Sequence, residues 1–544
     1  MNFKQNETAQ KLNGSYYTPR WLSDFICRWI LEIHPHNILE PSCGDGVFFD
    51  SLKSLNNNNI SITGFDIDIN AIQISMSKLV NSNFHYSINN ADFIEWSLHN
   101  LISNNATTFD AIIGNPPFIR YQYMEKIIQD RAQELFRILG LKFSKHTNAW
   151  IPFIMASIKF LTPGGRLGMI IPSEILHVLY AKGLRDYLLD NCSRILLIDP
   201  EDIWFDGTLQ GAMILLAEKK VTPNMPTDGV AIYHTRGTTF TQTSPAIIFN
   251  NADYMSGPFL QNKWTYALLT SEERDLYRHL SMNPHVFTFN QLANVDVGIV
   301  TGANNFFLVN NQTVEEYNLS DICHPMFGRS EHCPGIIYDV EQHIHNASKG
   351  IPTNFLYFED ETAEMLYSDY IQKGVDEKLP SRYKCKIRTP WYKVPSVYAS
   401  PISMLKRSNG MPRLILNSLN AYTTDTAYRI TPNETIDAVS MVRCFLNSLT
   451  ALSAELEGRH YGGGVLELIP SEIERLLVPY ITDTFSDIHL LNNFVKEHTP
   501  PEVLEIQDSL LFPLLGLTVN EIRTLQSALA RLRNRRQRIE NPEV

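Results

Sequence analysis

Nowhere do the 544 residues contain a run of about 18 apolar side chains, the length a helix needs to cross a bilayer. The segment Met1 to Glu7 lacks the apolar core of a signal peptide. A cytoplasmic chain with no membrane contact is the expectation. Cysteine is scarce and unorganised: seven residues, at 27, 43, 192, 323, 333, 385 and 444, form no C-x-x-C pair. That pattern excludes a disulfide framework and fits a reducing compartment. Cys323-His324 and His332-Cys333 are zinc-type ligands, but adjacent ligands converge poorly on one ion and the spacing matches no usual module, so no metal is expected. Positive charge is also lacking. The formal net charge is -12, so any contact with phosphate must come from a local cluster. Both the G-x-G-x-x-G fingerprint and the lysine of a phosphate-binding loop are missing, which disfavours NAD and ATP. Internal repeats are absent as well.

What is present begins with enough apolar sequence, 44%, for a sizeable core in two or three domains. Thr18-Pro19 reads as N-cap and first helical residue, and Leu22, Phe25, Ile26, Trp29 and Ile30 follow at helical spacing. A βα rhythm comes next. Strands are expected at 37–40, 60–66, 84–88, 109–113, 166–171, 194–198 and 211–218, with helices at 47 onward, 69–79, 150–161 and 174–189 and a turn at 163–165. Alternation of this kind predicts an α/β domain, a doubly wound, seven-stranded Rossmann-like parallel sheet covered on both faces. The Pro/Thr/Asn/Asp-rich segment 221–228 marks a boundary, which gives expected domains at 14–225 and 226–484 and a helical segment at 485–544. In the irregular α+β second part, 297–309 reads as a hairpin. Ser471 with Glu474, and Thr518 with Glu521, have capping-box spacing.

Three features carry chemistry. Strand 37–40 runs into the loop Pro41 to Gly46, whose Gly44 and Gly46 lie at the carboxyl end of the first strand, where doubly wound sheets bind ligands. The second strand ends at Asp66, about 20 residues on, where a carboxylate can accept the hydroxyls of a ribose. The third is followed by Asp92-Phe93, a carboxylate able to bond an adenine amine and a ring able to pack on its face. The fourth strand ends in Asn115-Pro116-Pro117-Phe118. Consecutive prolines fix their own φ and bias Asn115 away from helix, so its carbonyl and the Phe118 ring have nearly fixed directions, as catalysis by positioning requires.

Taken in order, Thr18-Pro19, the run Glu40 to Gly46, Asp66, Asp92-Phe93 and Asn115 to Phe118 resemble the gamma class of adenine-specific DNA methyltransferases, the Taq-type enzymes of restriction-modification systems. The resemblance covers residues 14 to about 220. It implies that S-adenosylmethionine is the cofactor and contacts Thr18, Glu40, Ser42, Asp66, Ile67, Asp92 and Phe93, with Gly44 and Gly46 in the cofactor loop. It further implies that Asn115, Pro116, Pro117 and Phe118 form the catalytic block. Phe118 stands where Tyr is commoner, which removes a phenol and keeps a stacking face. The second stacking aromatic maps onto Phe205, with Trp204 the alternative.

Chemistry supports those roles. The exocyclic amine of adenine is a poor nucleophile because its lone pair is delocalised into the ring. Two acceptors, the Asn115 side-chain oxygen and the Pro116 carbonyl, would each take one N–H and favour a pyramidal nitrogen, its lone pair aimed at a methyl about 3 Å away. No general base is required. A target inside a duplex must be extruded, and Phe118 offers it a π-face.

Double-stranded DNA is the expected partner, alongside a separate restriction endonuclease. Arg382, Lys384, Lys386, Arg388 and Lys393, with Trp391 among them, lie in a stretch, Lys378 to Arg413, that has no Asp or Glu; cations with interleaved aromatics suit backbone contact plus base readout. The arginines at 531, 533, 535, 536 and 538 read equally as a DNA contact or a solvated helix face. Segments 298–302 and 459–467 also resemble target-recognition sequence. Rival readings are methylation of RNA bases, of protein glutamine or of the cytosine amine, and a non-catalytic DNA-binding protein on the same fold. Oligomeric state and recognition sequence are not encoded in any readable motif.

Overall fold

The computed structural model describes residues 18–55, 60–103, 107–202, 204, 211–359, 363–461, 464–482 and 487–537. Its contacts divide the chain into one unit up to Ser271 and a second from Glu272 to Gln537.

In the first unit an eight-stranded sheet holds β1 (Asn37–Glu40), β2 (Ser61–Asp66), β3 (His85–Asn90), β4 (Phe109–Gly114), β5 (Leu161–Pro172), β6 (Cys192–Pro200), β7 (Ala212–Lys219) and β8 (Gly229–Thr235), in the spatial order 3-2-1-4-5-7-6-8. All neighbours are parallel except β7, antiparallel to both β5 and β6. The helices are α1 (Arg20–Leu31), α2 (Val47–Leu55), α3 (Ile69–Leu79), α4 (Phe93–Ile102), α5 (Lys126–Ile138), α6 (Trp150–Phe160), α7 (Lys182–Asn191) and α8 (Pro245–Asn251). The five apolar residues expected on one face of α1 are all buried, each contributing about 1.5–3 kcal/mol by leaving water. Ile38, Leu39, Ala111, Ile112 and Ile113 are buried as near-continuous runs, as central strands covered on both faces must be.

Several expectations are corrected. There are eight strands, because β8 pairs parallel with β6 along its whole length. The boundary therefore falls at Ser271 and not at 225: the Pro/Thr-rich 221–228 is a loop within the sheet, and α8 packs Phe249 on Trp29 of α1 at 4.3 Å. Pro19, not Thr18, is the N-cap of α1. The expected turn at 163–165 is an irregularity inside β5, where pairing jumps from Leu161 opposite Phe109 to Arg166 opposite Ala111. The helix expected from Glu174 starts only at Lys182. Buried Arg185 donates to the carbonyls of Ile175 and Val178 at 2.7 and 3.0 Å, holding 3₁₀ turns where α-helix was expected.

The second unit contains a five-stranded sheet ordered Ala293–Val297, Ala427–Pro432, Ile402–Leu405, Leu414–Asn417 and Ile337–Tyr338. The expected hairpin at 297–309 does not form. Ala293–Val297 pairs with Ala427–Pro432, and Leu308–Val309 pairs with Asn354–Leu356 in another sheet. The Arg388 guanidinium takes the carbonyls of Val300 and Thr301 at 2.6 and 2.7 Å, bonds a hairpin partner would otherwise make. Thr518 and Glu521 form their capping box. At the other expected box it is Glu472, not Glu474, whose carboxylate accepts the Ile469 N–H, at 3.1 Å.

The C-terminal helix Val519–Gln537 belongs to this unit and packs on Ser448–Glu457. Its arginines are largely turned inward: Arg531 pairs with Glu273 at 2.6 Å, and Arg536, fully buried, pairs with Glu455 at 2.8 Å. Gly464 lies against the backbone of Gln537, while Gly462 and Gly463 lie outside the described residues. Removing one member of a buried ion pair leaves an uncompensated charge. Arg536→Ala should accordingly lower unfolding stability by about 3–5 kcal/mol in a denaturant titration and leave the salt dependence of DNA binding unchanged. A shallower salt slope with unaltered stability would instead assign Arg536 to DNA.

Candidate active site

Strand β1 lies between β2 and β4, parallel to both. The register sets Leu39 opposite Ile112, which brings the Glu40 end of β1 beside Asn115. Ser42 Oγ donates to the Asn115 carbonyl at 3.1 Å, and Asn115 Nδ2 donates to Thr18 Oγ1 at 3.2 Å. The second bond explains why Thr18 does not cap α1. It also fixes the amide, with Nδ2 toward Thr18 and the oxygen turned away as an acceptor. Pro116 is buried, and Asn115, Pro117 and Phe118 are half-buried; Phe118 packs on the hydrophobic core of this unit.

The residues expected on the cofactor side cluster at the same edge. Gly44 and Gly46 have φ of +50° and +76°, a region that favours glycine. A Cβ at Gly46 would sit 2.8 Å from that of Ser75, whereas one at Gly44 would meet nothing within 4 Å. Gly44 N–H donates to Asp66 Oδ2 at 2.8 Å, and Asp68 N–H to Asp66 Oδ1 at 2.9 Å. These bonds orient the carboxylate and leave lone pairs for further donors. Ile67 beside it is 73% exposed, an apolar surface open to a ring. Asp92 caps α4 by accepting from Ile94 N–H at 2.8 Å. Phe93 points into an aromatic core cluster with Phe65 and Trp96.

Glu40 is 1% exposed, and its Oε2 has no hydrogen-bond partner among the described residues. Burial, reinforced by the nearby charges of Asp66 and Asp45, raises its carboxyl well above the usual range. A buried acceptor left unsatisfied costs about 1–3 kcal/mol, so a ligand presenting N–H or O–H donors gains by meeting it. The amine and hydroxyls of S-adenosylmethionine are such donors, and the residues fit that group.

Two groups escaped the sequence reading. Arg131 of α5 bridges Asp92 and Glu95, at 2.7 Å each. Beyond the catalytic block, Asn148, Glu174 and Tyr180 form a hydrogen-bonded cluster. Neither has a local motif: Arg131 lies 39 residues from Asp92, and Asn148 lies 32 from Tyr180. Phe205 lies outside the described residues. Trp204 stacks on Phe240 with centroids 6.0 Å apart and meets Trp21 edge-on at 5.5 Å.

In the second unit Arg382, Lys384, Lys386 and Lys393 are exposed, and Tyr383 is exposed with Lys384 Nζ 5.6 Å from its ring centroid. Arg388 and Trp391 are turned into the fold, the former on the Val300 and Thr301 carbonyls, the latter against Phe306 at 5.0 Å. Among the described residues no group of three or more His, Cys, Asp or Glu is placed to hold a metal ion, and no helix is long and apolar enough to cross a membrane.

Sheet order, acidic strand ends and an Asn-Pro-Pro-aromatic block at the tip of β4 define the class as a Rossmann-like methyltransferase. Residues 47–204 match the family model of the Eco57I restriction-modification methylase, and residues 261–512 match that of the type II methyltransferase M.Eco57I, C-terminal domain. With both parts present, the chain belongs to the Eco57I-type restriction-modification methylases. It is 24% identical to type II methyltransferase M.AccI of Acinetobacter calcoaceticus, over 86% of this chain and 85% of that enzyme. Identity to M.BanIII of Aneurinibacillus aneurinilyticus is 30%, over 39% of each chain. Among solved structures, the type IIG restriction endonuclease BpuSI aligns with a TM-score of 0.43 at 14% identity, over 96% of this chain and 66% of that one.

A pH dependence follows from Glu40. Below its raised pKa the carboxyl is protonated, above it ionised, and hydrogen-bond donors or a cation on a ligand favour the ionised form. Affinity for S-adenosylhomocysteine, measured by calorimetry, should rise with pH above the ordinary carboxylate range, and Glu40→Gln should both weaken binding and flatten the profile. A flat wild-type profile would exclude Glu40 from the ligand site.

Proposed function

We propose that the chain transfers the methyl group of S-adenosylmethionine to the exocyclic amine of adenine within a specific double-stranded DNA sequence, and that this protects DNA from a separate cognate endonuclease. The carrying observation is the Asn115 amide at the tip of β4, its Nδ2 bonded to Thr18 and its backbone carbonyl to Ser42, which gives the side chain a defined orientation. Thr18, Glu40, Ser42, Gly44, Gly46, Asp66, Ile67 and Asp92 are the residues assigned to the cofactor, which supplies an electrophilic methyl group; the expected Phe93 contact is dropped, because its ring is buried against Phe65 and Trp96.

Asn115 acts as an acceptor, since an amide has no basic character near neutral pH. Its Oδ1 and the Pro116 carbonyl take the two N–H bonds of the target amine and draw its lone pair out of conjugation. Phe118 stacks the extruded base, an interaction worth about 1–3 kcal/mol. The methylated amine is cationic and sheds its proton afterwards, so no side chain need abstract one beforehand. Arg382, Lys384, Lys386 and Lys393 are the cations assigned to phosphate contact. Arg388 and Trp391 contribute by holding that segment in shape. The family relationship favours DNA over RNA or protein as substrate, and the intact Asn115 to Phe118 block opposes a non-catalytic role.

Incubation with labelled cofactor and genomic DNA, followed by nucleoside analysis, should place the label on the adenine amine in one sequence context; label on cytosine would overturn the assignment. Asn115→Ala should lower turnover by about 10²–10³-fold, the scale of losing one oriented polar group at a reacting centre, with cofactor affinity nearly unchanged. If affinity collapses with turnover, Asn115 serves the cofactor instead.

A further inference from the structure

The catalytic block is tied at its entry by Ser42 and Thr18, and its exit must be tied too if Phe118 is to hold a base in one orientation. The exit, Ile119 to Tyr121, has no regular structure before the 3₁₀ turn Tyr121–Tyr123. Two bonds reach it from the residues preceding α6. Ala149 N–H donates to the Ile119 carbonyl at 2.9 Å, and Tyr121 N–H donates to Asn148 Oδ1 at 3.1 Å. Asn148 is in turn fixed from behind: its Nδ2 donates to Tyr180 Oη at 2.7 Å and lies 3.4 Å from Glu174 Oε2, while the Tyr180 hydroxyl donates to that same carboxylate oxygen. Burial pushes the Glu174 carboxyl up, and Tyr180, Arg120 and Asn148 act against that rise. Arg120 belongs to the exit segment itself, so charge attraction draws the segment toward the same carboxylate.

The placement is informative. Glu174 follows the carboxyl end of β5, the strand paired with β4, so the cluster stands beside the strand tip that carries Asn115. Asn148 is 9% exposed and uses both ends of its amide, one on the loop and one on the cluster. A group that only filled space there would need neither. We propose that Asn148, held by Tyr180 and Glu174, is a positioning residue that fixes the chain leaving Phe118 and so sets the orientation of the stacked target base. The inference rests on the adenine methyltransferase reading above.

Transfer to a duplex carrying the site would be measured for the wild type, Asn148→Ala and Tyr180→Phe, together with 2-aminopurine fluorescence at the target position and affinity for S-adenosylhomocysteine. A small displacement of a reacting group costs on the order of 10²-fold in rate. Asn148→Ala should lower kcat by about that factor, with KM and cofactor affinity nearly unchanged and a diminished 2-aminopurine signal. Tyr180→Phe, which removes one hydroxyl and keeps the ring, should show the same pattern at about tenfold, and it decides the matter if Asn148→Ala does not fold. Unchanged kcat in Tyr180→Phe, or a change confined to KM, overturns the positioning role. Wild-type enzyme that modifies no adenine would overturn the underlying reading instead, so the two failures are distinguishable.

Discussion

The structure depends on the place where the chain, having run outward from β1 through β2 to β3, returns to β4 on the other side of β1. The loops that leave β1 and β4 then emerge side by side, tied by the Ser42 to Asn115 bond, at the carboxyl ends where doubly wound sheets bind ligands. Glu40, Ser42, Asp66, Asp92 and Asn115 each follow or end one of those four strands. Because parallel registers are fixed by burial on both faces, the relative heights of Glu40, Asp66 and Asn115 are set by the core and not by the loops. Buried Ile38, Leu39, Ile112 and Ile113 therefore locate the site as much as the polar residues that form it.

Within that frame, the polar groups are arranged by one another. Thr18 precedes α1 by one intervening proline, and its hydroxyl is the partner of the Asn115 amide. The helix loses a side-chain cap, worth about 0.5–2 kcal/mol, and the Asn115 amide gains a defined orientation. Glu40 departs from ordinary packing in the opposite sense. A carboxylate oxygen held in the core without a partner disfavours the ligand-free state, and donor groups on a ligand relieve it. Asp92 shows a third arrangement: Arg131 occupies one of its oxygens, so a ligand amine there must share the carboxylate with a guanidinium. The helix carrying Arg131 follows the Asn115 to Phe118 loop after the 3₁₀ turn Tyr121–Tyr123, so this loop and the Asp92 loop are linked by one short segment.

The sheet was legible because its strands are apolar runs and its loops begin with residues whose chemistry is tied to position. The spans of β1 and α3 and the start of α2 were readable from periodicity and glycine alone. Where the reading erred, a distant partner had altered a local preference. Thr18-Pro19 has the pattern of a helix start, but the hydroxyl is taken by a residue 97 positions away. The sequence from Glu174 has helical periodicity, but Arg185 holds two of its carbonyls in 3₁₀ turns. The 297–309 segment looks like a hairpin until Arg388 binds its carbonyls. The Asn148 cluster had no sequence signal, since its members are ordinary polar residues made significant only by convergence. The family resemblance assigned the cofactor residues, and geometry then separated exposed Ile67 from the core ring Phe93.

Charge distribution in the second unit bears on how an acidic chain can address DNA. Arginine is used there mainly to build structure: Arg388, Arg413 and Arg429 each donate to backbone carbonyls, and Arg536 is sealed against Glu455. The planar guanidinium suits that work because one group can satisfy several carbonyls in fixed directions, while the ammonium of lysine is a compact, strongly hydrated charge on a flexible stem. The cations left exposed between 382 and 393 are consequently mostly lysines. Lysine contacts phosphate as a point charge and carries little sequence information, so exposed lysines of this kind suit backbone contact better than base readout. With a net charge of -12 there is little long-range attraction to reinforce such contacts, and binding must rely on groups within about a Debye length, some 8–10 Å. Discrimination between sequences is then left to neutral and aromatic groups, whose hydrogen bonds and stacking do not weaken with salt in the way phosphate contacts do.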